Sequence, residues 1–252
     1  MFAPLREHAK PLSALHDWPA ASALQELVSA RNVTNANGLP LRVVATAGEP
    51  YEARIYRRGE LQVRGRNWHD FFNVLAWLAY PLTKRELNRR HYLAWQQEGT
   101  KARGRARDAL TLFDESGAIV VSSDSALLED VRGFRWKRLF WERRQRLDES
   151  ARFFVFGHAL FEKALDPYVG MTAHALLMEL DGGRLTALRT VDAVDALVSA
   201  SIRDPQALEE PRALAPLPVL GVPGWWHDSG REEFYDDVGY FRRRRGKRTT
   251  AE

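Results

Sequence analysis

The chain contains no cysteine. That excludes disulfides, thiolate metal sites and every mechanism built on a thiol nucleophile, and it fits a reducing compartment. It also lacks a long apolar run. The greasiest stretch, Phe71 to Tyr80, is about half of the roughly 20 residues a membrane-spanning helix needs. The opening residues MFAPLREHAKPL carry charges and prolines where a signal peptide needs an apolar run. We therefore expect a cytoplasmic protein with no membrane span. Several reaction motifs are missing as well. There is no GxSxG elbow, no glycine-rich phosphate loop, no EF-hand loop and no HExxH zinc pattern. No RNA-recognition, zinc-finger or helix-turn-helix signature appears either.

What is present begins with a core. Of 252 residues, 45% are apolar and 11% aromatic, enough for a sizeable interior. No repeat or flexible linker divides the chain, so the expectation is one helix-rich α+β domain over residues 1–241 with a small mixed or antiparallel sheet. Prolines at 205, 211, 216, 218 and 223 argue against regular structure over 205–241. Trp225, Trp226, Phe234, Tyr235, Tyr240 and Phe241 are placed to staple that extended segment to the body. Residues 242–252 form a basic tail, expected to be disordered.

The net charge of +4 hides a segregation of signs. Residues 54–107 and 132–152 are strongly basic, whereas 108–130 holds six acids and no base. Such a pattern suits an anionic small molecule or nucleic acid as partner, and equally suits solvated helix faces. The body without its tail is close to neutral, which disfavours a dedicated nucleic-acid domain.

Local patterns give the elements. Helices are expected over 12–31, 68–79, 83–97, 103–114, 125–132, 136–146, 158–165 and 187–202. Strands are expected over 41–46, 51–56, 61–64, 118–122, 152–156 and 173–180, the second and third joined as a hairpin through Arg57-Arg58-Gly59-Glu60. Thr83-Lys84-Arg85-Glu86 has the form of a capping box.

Two helix starts carry the chemistry. In Asn67-Trp68-His69-Asp70-Phe71-Phe72-Asn73, the polar His69, Asp70 and Asn73 share one stripe of an otherwise apolar helix. Each buried and unsatisfied group would cost about 1–3 kcal/mol, so the three form either a site or a satisfied capping network. His158 and Glu162 lie one turn apart directly after a strand and Gly157, and His174 sits among aliphatics on a neighbouring strand. The catalytic candidates are His69, Asp70, Asp114 and Glu115; the substrate-binding candidates are Asn73, Arg105 and Arg107. The metal candidates are His158, Glu162 and His174, whose nitrogen and oxygen donors suit one divalent zinc, manganese or iron. Each group also has a plain structural reading: a core histidine, a helix exit at Asp114-Glu115-Ser116-Gly117, or arginines paired with nearby acids.

The ordered segments NWHDFFNVLAWLAYPLTKRELNRRHY, RDALTLFDESG, FGHALFEKALDPYVGMTAH and LPVLGVPGWW…FYDD resemble a bacterial family known only as domain of unknown function 3025. The resemblance spans about residues 25–241. It implies no activity. It does imply that His69, Asp70, Asn73, Lys84, Asn88, His91, Asp108, Asp114, Glu115, His158, Glu162 and His174 belong to a shared pattern, and that the arginine-rich tail is particular to this chain. The best functional expectation is a metal-dependent hydrolase for an anionic substrate. The alternatives are a binding protein for nucleic acid or an acidic partner, and a purely structural polar network.

Overall fold

The computed structural model describes residues 1–45, 50–98 and 104–243. The readings that touched Thr46, Gly99, Arg103 and the tail from 244 onward lie outside them. The helices are α1 (Arg6–Ala9), α2 (Ala21–Ala30), α3 (Tyr51–Arg58), α4 (Trp68–Ala79), α5 (Pro81–Glu98), α6 (Arg105–Ser116), α7 (Ser125–Arg132), α8 (Arg144–Ser150), α9 (His158–Lys163), α10 (Gly182–Ala187) and α11 (Val191–Ile202). The strands are β1 (Arg42–Val44), β2 (Glu60–Gln62), β3 (Gly117–Ser122), β4 (Ala151–Val155), β5 (Thr172–Glu179) and β6 (Ala215–Pro218). Helix outweighs strand, and the class is helix-rich α+β. Among the described residues no helix is long and apolar enough to cross a membrane.

The main sheet runs β4-β3-β5-β6. Every residue of β3 is buried, as expected for a strand with neighbours on both sides and helices over its faces. β3 is antiparallel to β4 and parallel to β5. One apolar cluster runs from Leu5 to Phe241 through both sheets.

Several expectations need correction. Residues 51–56 form the helix α3, not a strand. The alternation of Tyr51, Ala53 and Ile55 imitates a strand, but the termini are helical: Glu52 sits in the first turn, Arg57 and Arg58 in the last, and Gly59 closes it at φ 67°. β1 and β2 therefore pair in parallel, with α3 as the crossover that parallel strands require. The helix expected over 12–31 begins only at Ala21, because Pro19 interrupts it. The segment 205–241 is not devoid of regular structure. β6 pairs with β5 as an edge strand, and Val219 N donates to Met171 O at 3.1 Å. Residues of that parity donate toward β5, so the missing amides of Pro216 and Pro218 fall on the free edge. The aromatic staple is present. Tyr240 Oη donates to Met171 O at 2.8 Å and accepts from Leu220 N at 2.9 Å.

The capping box is also replaced. Thr83 lies inside α5, and the cap comes from a distant helix: Asp195 of α11 accepts from Leu82 N and Thr83 N, each at 2.8 Å. Glu86 instead pairs with Arg89. Asp195 is buried, so Asp195→Ala strands two amides. It is expected to lower stability by about 2 kcal/mol, the upper end for a cap. A chemical-denaturation midpoint that does not move would remove this role.

Candidate functional site

The sheet register brings two helix junctions together. Because β3 and β4 are antiparallel, Ala118 at the start of β3 faces Val155 at the end of β4. The last residues of α6 and the first of α9 therefore meet at the same end of the sheet. Helix α6 runs into β3 without a loop. A Cβ on Gly117 would lie 2.1 Å from Phe113 O, and one on Gly157 would lie 2.3 Å from Gly117 N and 2.5 Å from Glu115 O. Only glycine permits this approach. Gly117 O accepts from Phe156 N at 3.0 Å and from Gly157 N at 2.9 Å. The junction is thus fixed by backbone, with Glu115 on one side and His158 on the other.

Helix α4 supplies the third wall and packs against α9. Asn67 caps α4, accepting from Asp70 N at 2.9 Å. At the far end Tyr80 Oη donates to Val155 O at 2.9 Å, tying α4 to β4 just before His158. His69 then faces His158, with Nε2 to Nε2 at 3.1 Å. Glu115 Oε2 lies 3.7 Å from His158 Nε2 and 3.9 Å from His69 Nε2. These three residues form a group whose ligand atoms all lie within 4.8 Å of one another.

The outer nitrogen of His158 sets its tautomer. His158 Nδ1 lies 2.8 Å from Asp114 O. A carbonyl only accepts, so Nδ1 carries the proton and Nε2 of the neutral ring presents a lone pair. Burial, helped by the Lys84 ammonium, pushes His158 down to about 3, so the ring stays neutral. His69 Nδ1 lies 3.4 Å from Glu162 Oε2, again an acceptor. Burial pushes the Glu115 carboxyl up.

Behind this group sits a buried ion pair. Lys84 Nζ donates to both Asp114 oxygens, at 2.6 and 2.9 Å, and to Asn73 Oδ1 at 2.8 Å. Burial alone would raise the Asp114 carboxyl, but the charge and hydrogen bonds of Lys84 hold it below its ordinary value. An ammonium only donates, so Asn73 must turn its oxygen to Lys84 and its amide N–H to Tyr51 Oη. Burial keeps the Tyr51 phenol protonated. As its oxygen already accepts from Asn73, its proton is free to point elsewhere.

These side chains border a cavity of about 330 Å³ that also meets Glu52, Gln62, Arg64 and Asp70. Asp70 accepts from Arg64 through N, Nε and Nη2 at 2.7, 2.8 and 2.8 Å. Its carboxylate is therefore occupied in holding Arg64 at the rim, where the Arg64 side chain remains 58% exposed.

The sequence candidates sort accordingly. His69, Asp70, Asn73, Asp114, Glu115 and His158 all border the one cavity, and Glu162 stands behind His69. His174 is not in the three-residue group. It lies on β5 opposite Gly117 and Pro216, where burial and Lys163 hold its imidazole low. Arg105 pairs with Glu210, and Arg107 with Glu98 at 2.9 Å; neither borders the cavity. Tyr51, Glu52 and Arg64 were not singled out from the sequence. Reading 51–58 as a helix would have pointed to the first two, since it sets Tyr51 and Glu52 at a helix start ahead of α4.

The family described as protein of unknown function (DUF3025) matches residues 41–245. The chain belongs to that family. The matched span contains every residue of the cavity wall. No curated protein and no solved structure matches the chain.

Proposed function

We propose that this DUF3025 member is a divalent-metal-dependent hydrolase acting on an anionic substrate. One observation carries the reading: His69 Nε2 and His158 Nε2 face each other at 3.1 Å with Glu115 Oε2 within 3.9 Å of both, while His158 Nδ1 is committed to the Asp114 carbonyl. The lone pair of His158 Nε2 points at His69, and a dication held by both rings and Glu115 would satisfy it. Two nitrogens bound to one metal at about 2.0–2.1 Å are separated by roughly 3 Å. Glu115 supplies the third, anionic donor. Acids also outnumber bases around the cavity, with Glu52, Asp70, Asp114 and Glu115 set against Arg64 and, behind the wall, Lys84. A dication relieves that excess.

Two histidines and a carboxylate leave coordination positions open, and they suit zinc, manganese or iron. A dication there lowers the pKa of a bound water and so supplies a nucleophile near neutral pH. The Asp114 carbonyl and Glu162 orient the two imidazoles from behind. Arg64, held flat by Asp70, offers its outer N–H groups to a substrate carboxylate or phosphate. The Tyr51 hydroxyl offers a donor to charge developing on the substrate oxygen.

The test is metal analysis of protein stripped with chelator and reconstituted with zinc, manganese or iron(II). One equivalent and a raised melting temperature are expected. His158→Ala should abolish both, and Glu162→Ala should weaken affinity about 10- to 100-fold, as for a residue orienting a ligand. A stripped protein that takes up no stoichiometric metal and shows no thermal shift would overturn the reading. In that case His69 donates an Nε2–H to the His158 Nε2 lone pair across the 3.1 Å gap.

A further inference from the structure

A second polar assembly stands apart from this cavity. Asp130, at the end of α7, is fully buried. Arg135 Nε lies 2.5 Å from Oδ1, and Arg143 Nη1 lies 2.8 Å from Oδ2. Those two arginines satisfy both oxygens. A third, Arg138, approaches only to 3.7 Å, beyond hydrogen-bonding distance. It adds a longer ion pair to Asp130 without a hydrogen bond. One carboxylate thus gathers three guanidiniums, leaving a positive surplus.

Arg135 and Arg138 are each about half exposed, at 45% and 47%. Both border a cavity of about 400 Å³ whose remaining wall includes Phe134, Trp136, Tyr235 and Phe241. The nearby Lys137 is already paired with Asp236 and Glu232, at 2.8 and 3.0 Å. Arg135 meets Asp130 through Nε, which leaves its two terminal nitrogens for another oxyanion.

The backbone here is unusual. Phe134 adopts φ 57° although Gly133 stands beside it. A left-handed aromatic residue is strained, and this one sets its ring 5.5 Å from Trp136 at the cavity wall. The next turn is a π-helix, Arg138–Glu142, a rare form frequently found at functional sites.

We infer that this cavity binds a phosphate ester of nucleotide type, its phosphate held by Arg135 and Arg138 and its base against the partly exposed Phe134 ring, which the buried Trp136 backs. Guanidinium groups match phosphate geometry, and aromatic faces stack bases. The site gives the basic stretch 132–152 a specific role that the metal reading leaves unused.

Calorimetry on the full, metal-stripped chain tests this apart from the first site. Adenosine monophosphate is expected to bind, more tightly than inorganic phosphate and far more tightly than adenosine, with affinity falling as salt rises. Arg138→Gln, which leaves both hydrogen bonds to Asp130 intact, should weaken binding about tenfold or more with an unchanged melting temperature. Arg135→Gln should weaken it similarly. Equal binding of phosphate and adenosine monophosphate would overturn the base contact. Binding that ignores Arg138→Gln, or none at millimolar nucleotide, would overturn the site. A short oligothymidylate that binds far more tightly than the mononucleotide would replace the pocket with an extended nucleic-acid surface.

Discussion

Replacing Lys84 by methionine is expected to lower stability by about 3–5 kcal/mol, the usual cost of stripping one partner from a buried ion pair. Lys84 is 3% exposed, and its ammonium serves three acceptors on two side chains while lying 5.6 Å from the centre of the Trp77 ring. Methionine fills a similar volume, so lost packing contributes little. The cost is electrostatic: the Asp114 carboxylate remains buried, and its principal counter-ion is gone. Two consequences distinguish this from general destabilisation. Asn73 is freed to rotate, so Tyr51 loses its fixed donor. The α6 terminus also loosens, and with it the Asp114 carbonyl that holds the His158 tautomer. Lys84→Met combined with Asp114→Leu should recover a large part of the stability, because no charge is left stranded, but it should not restore metal affinity. Urea unfolding of the two variants decides the matter. A loss below about 1 kcal/mol in the single variant would show that the pair contributes no more than a surface bridge.

The same ion pair shows how far the site was legible in the sequence. His69 and His158 each stood out because they open a helix whose following residues are mostly apolar, and α4 begins and ends at the residues its pattern indicated. Spacing alone places His158 and Glu162 on one helix face. What spacing cannot supply is the register of β3 against β4. That register, not any local pattern, puts Glu115 between the two imidazoles and leaves His174 outside the group. Lys84 was named only through the shared pattern of the resemblance and not from its local spacing, because the packing of α5 against α6 is what buries it. The capping box failed for a related reason, since a carboxylate 112 positions away reached the α5 amides first. The α3 error was a matter of period, because Tyr51, Ala53 and Ile55 alternate like a strand while the capping residues mark a helix. Arg64 stayed hidden behind that error, since its place at the rim depends on β2 following a crossover helix.

Gly157→Ala should be clearly destabilising, although it adds a single methyl group. The backbone of Gly157 is ordinary, with φ −63° and ψ 126°, so alanine is conformationally permitted there. A chain-entropy gain of about 0.4–1 kcal/mol would even favour it. The obstacle is contact. The new Cβ would meet Gly117 N at 2.3 Å and Glu115 O at 2.5 Å, and both are backbone atoms that cannot swing aside. Relief requires the β4–α9 junction to move away from the α6–β3 junction, weakening the two hydrogen bonds to Gly117 O. A destabilisation of about 1–3 kcal/mol follows from overpacking alone. The movement also separates His158 from Glu115, the two proposed metal ligands carried by these junctions, so metal affinity should fall by more than stability accounts for. Gly230→Ala is the matched control, because a Cβ there meets nothing within 4 Å. Metal titration and thermal melts on both variants provide the check. If Gly157→Ala binds metal as the parent chain does, the close approach of the two glycines does not set the geometry of the site.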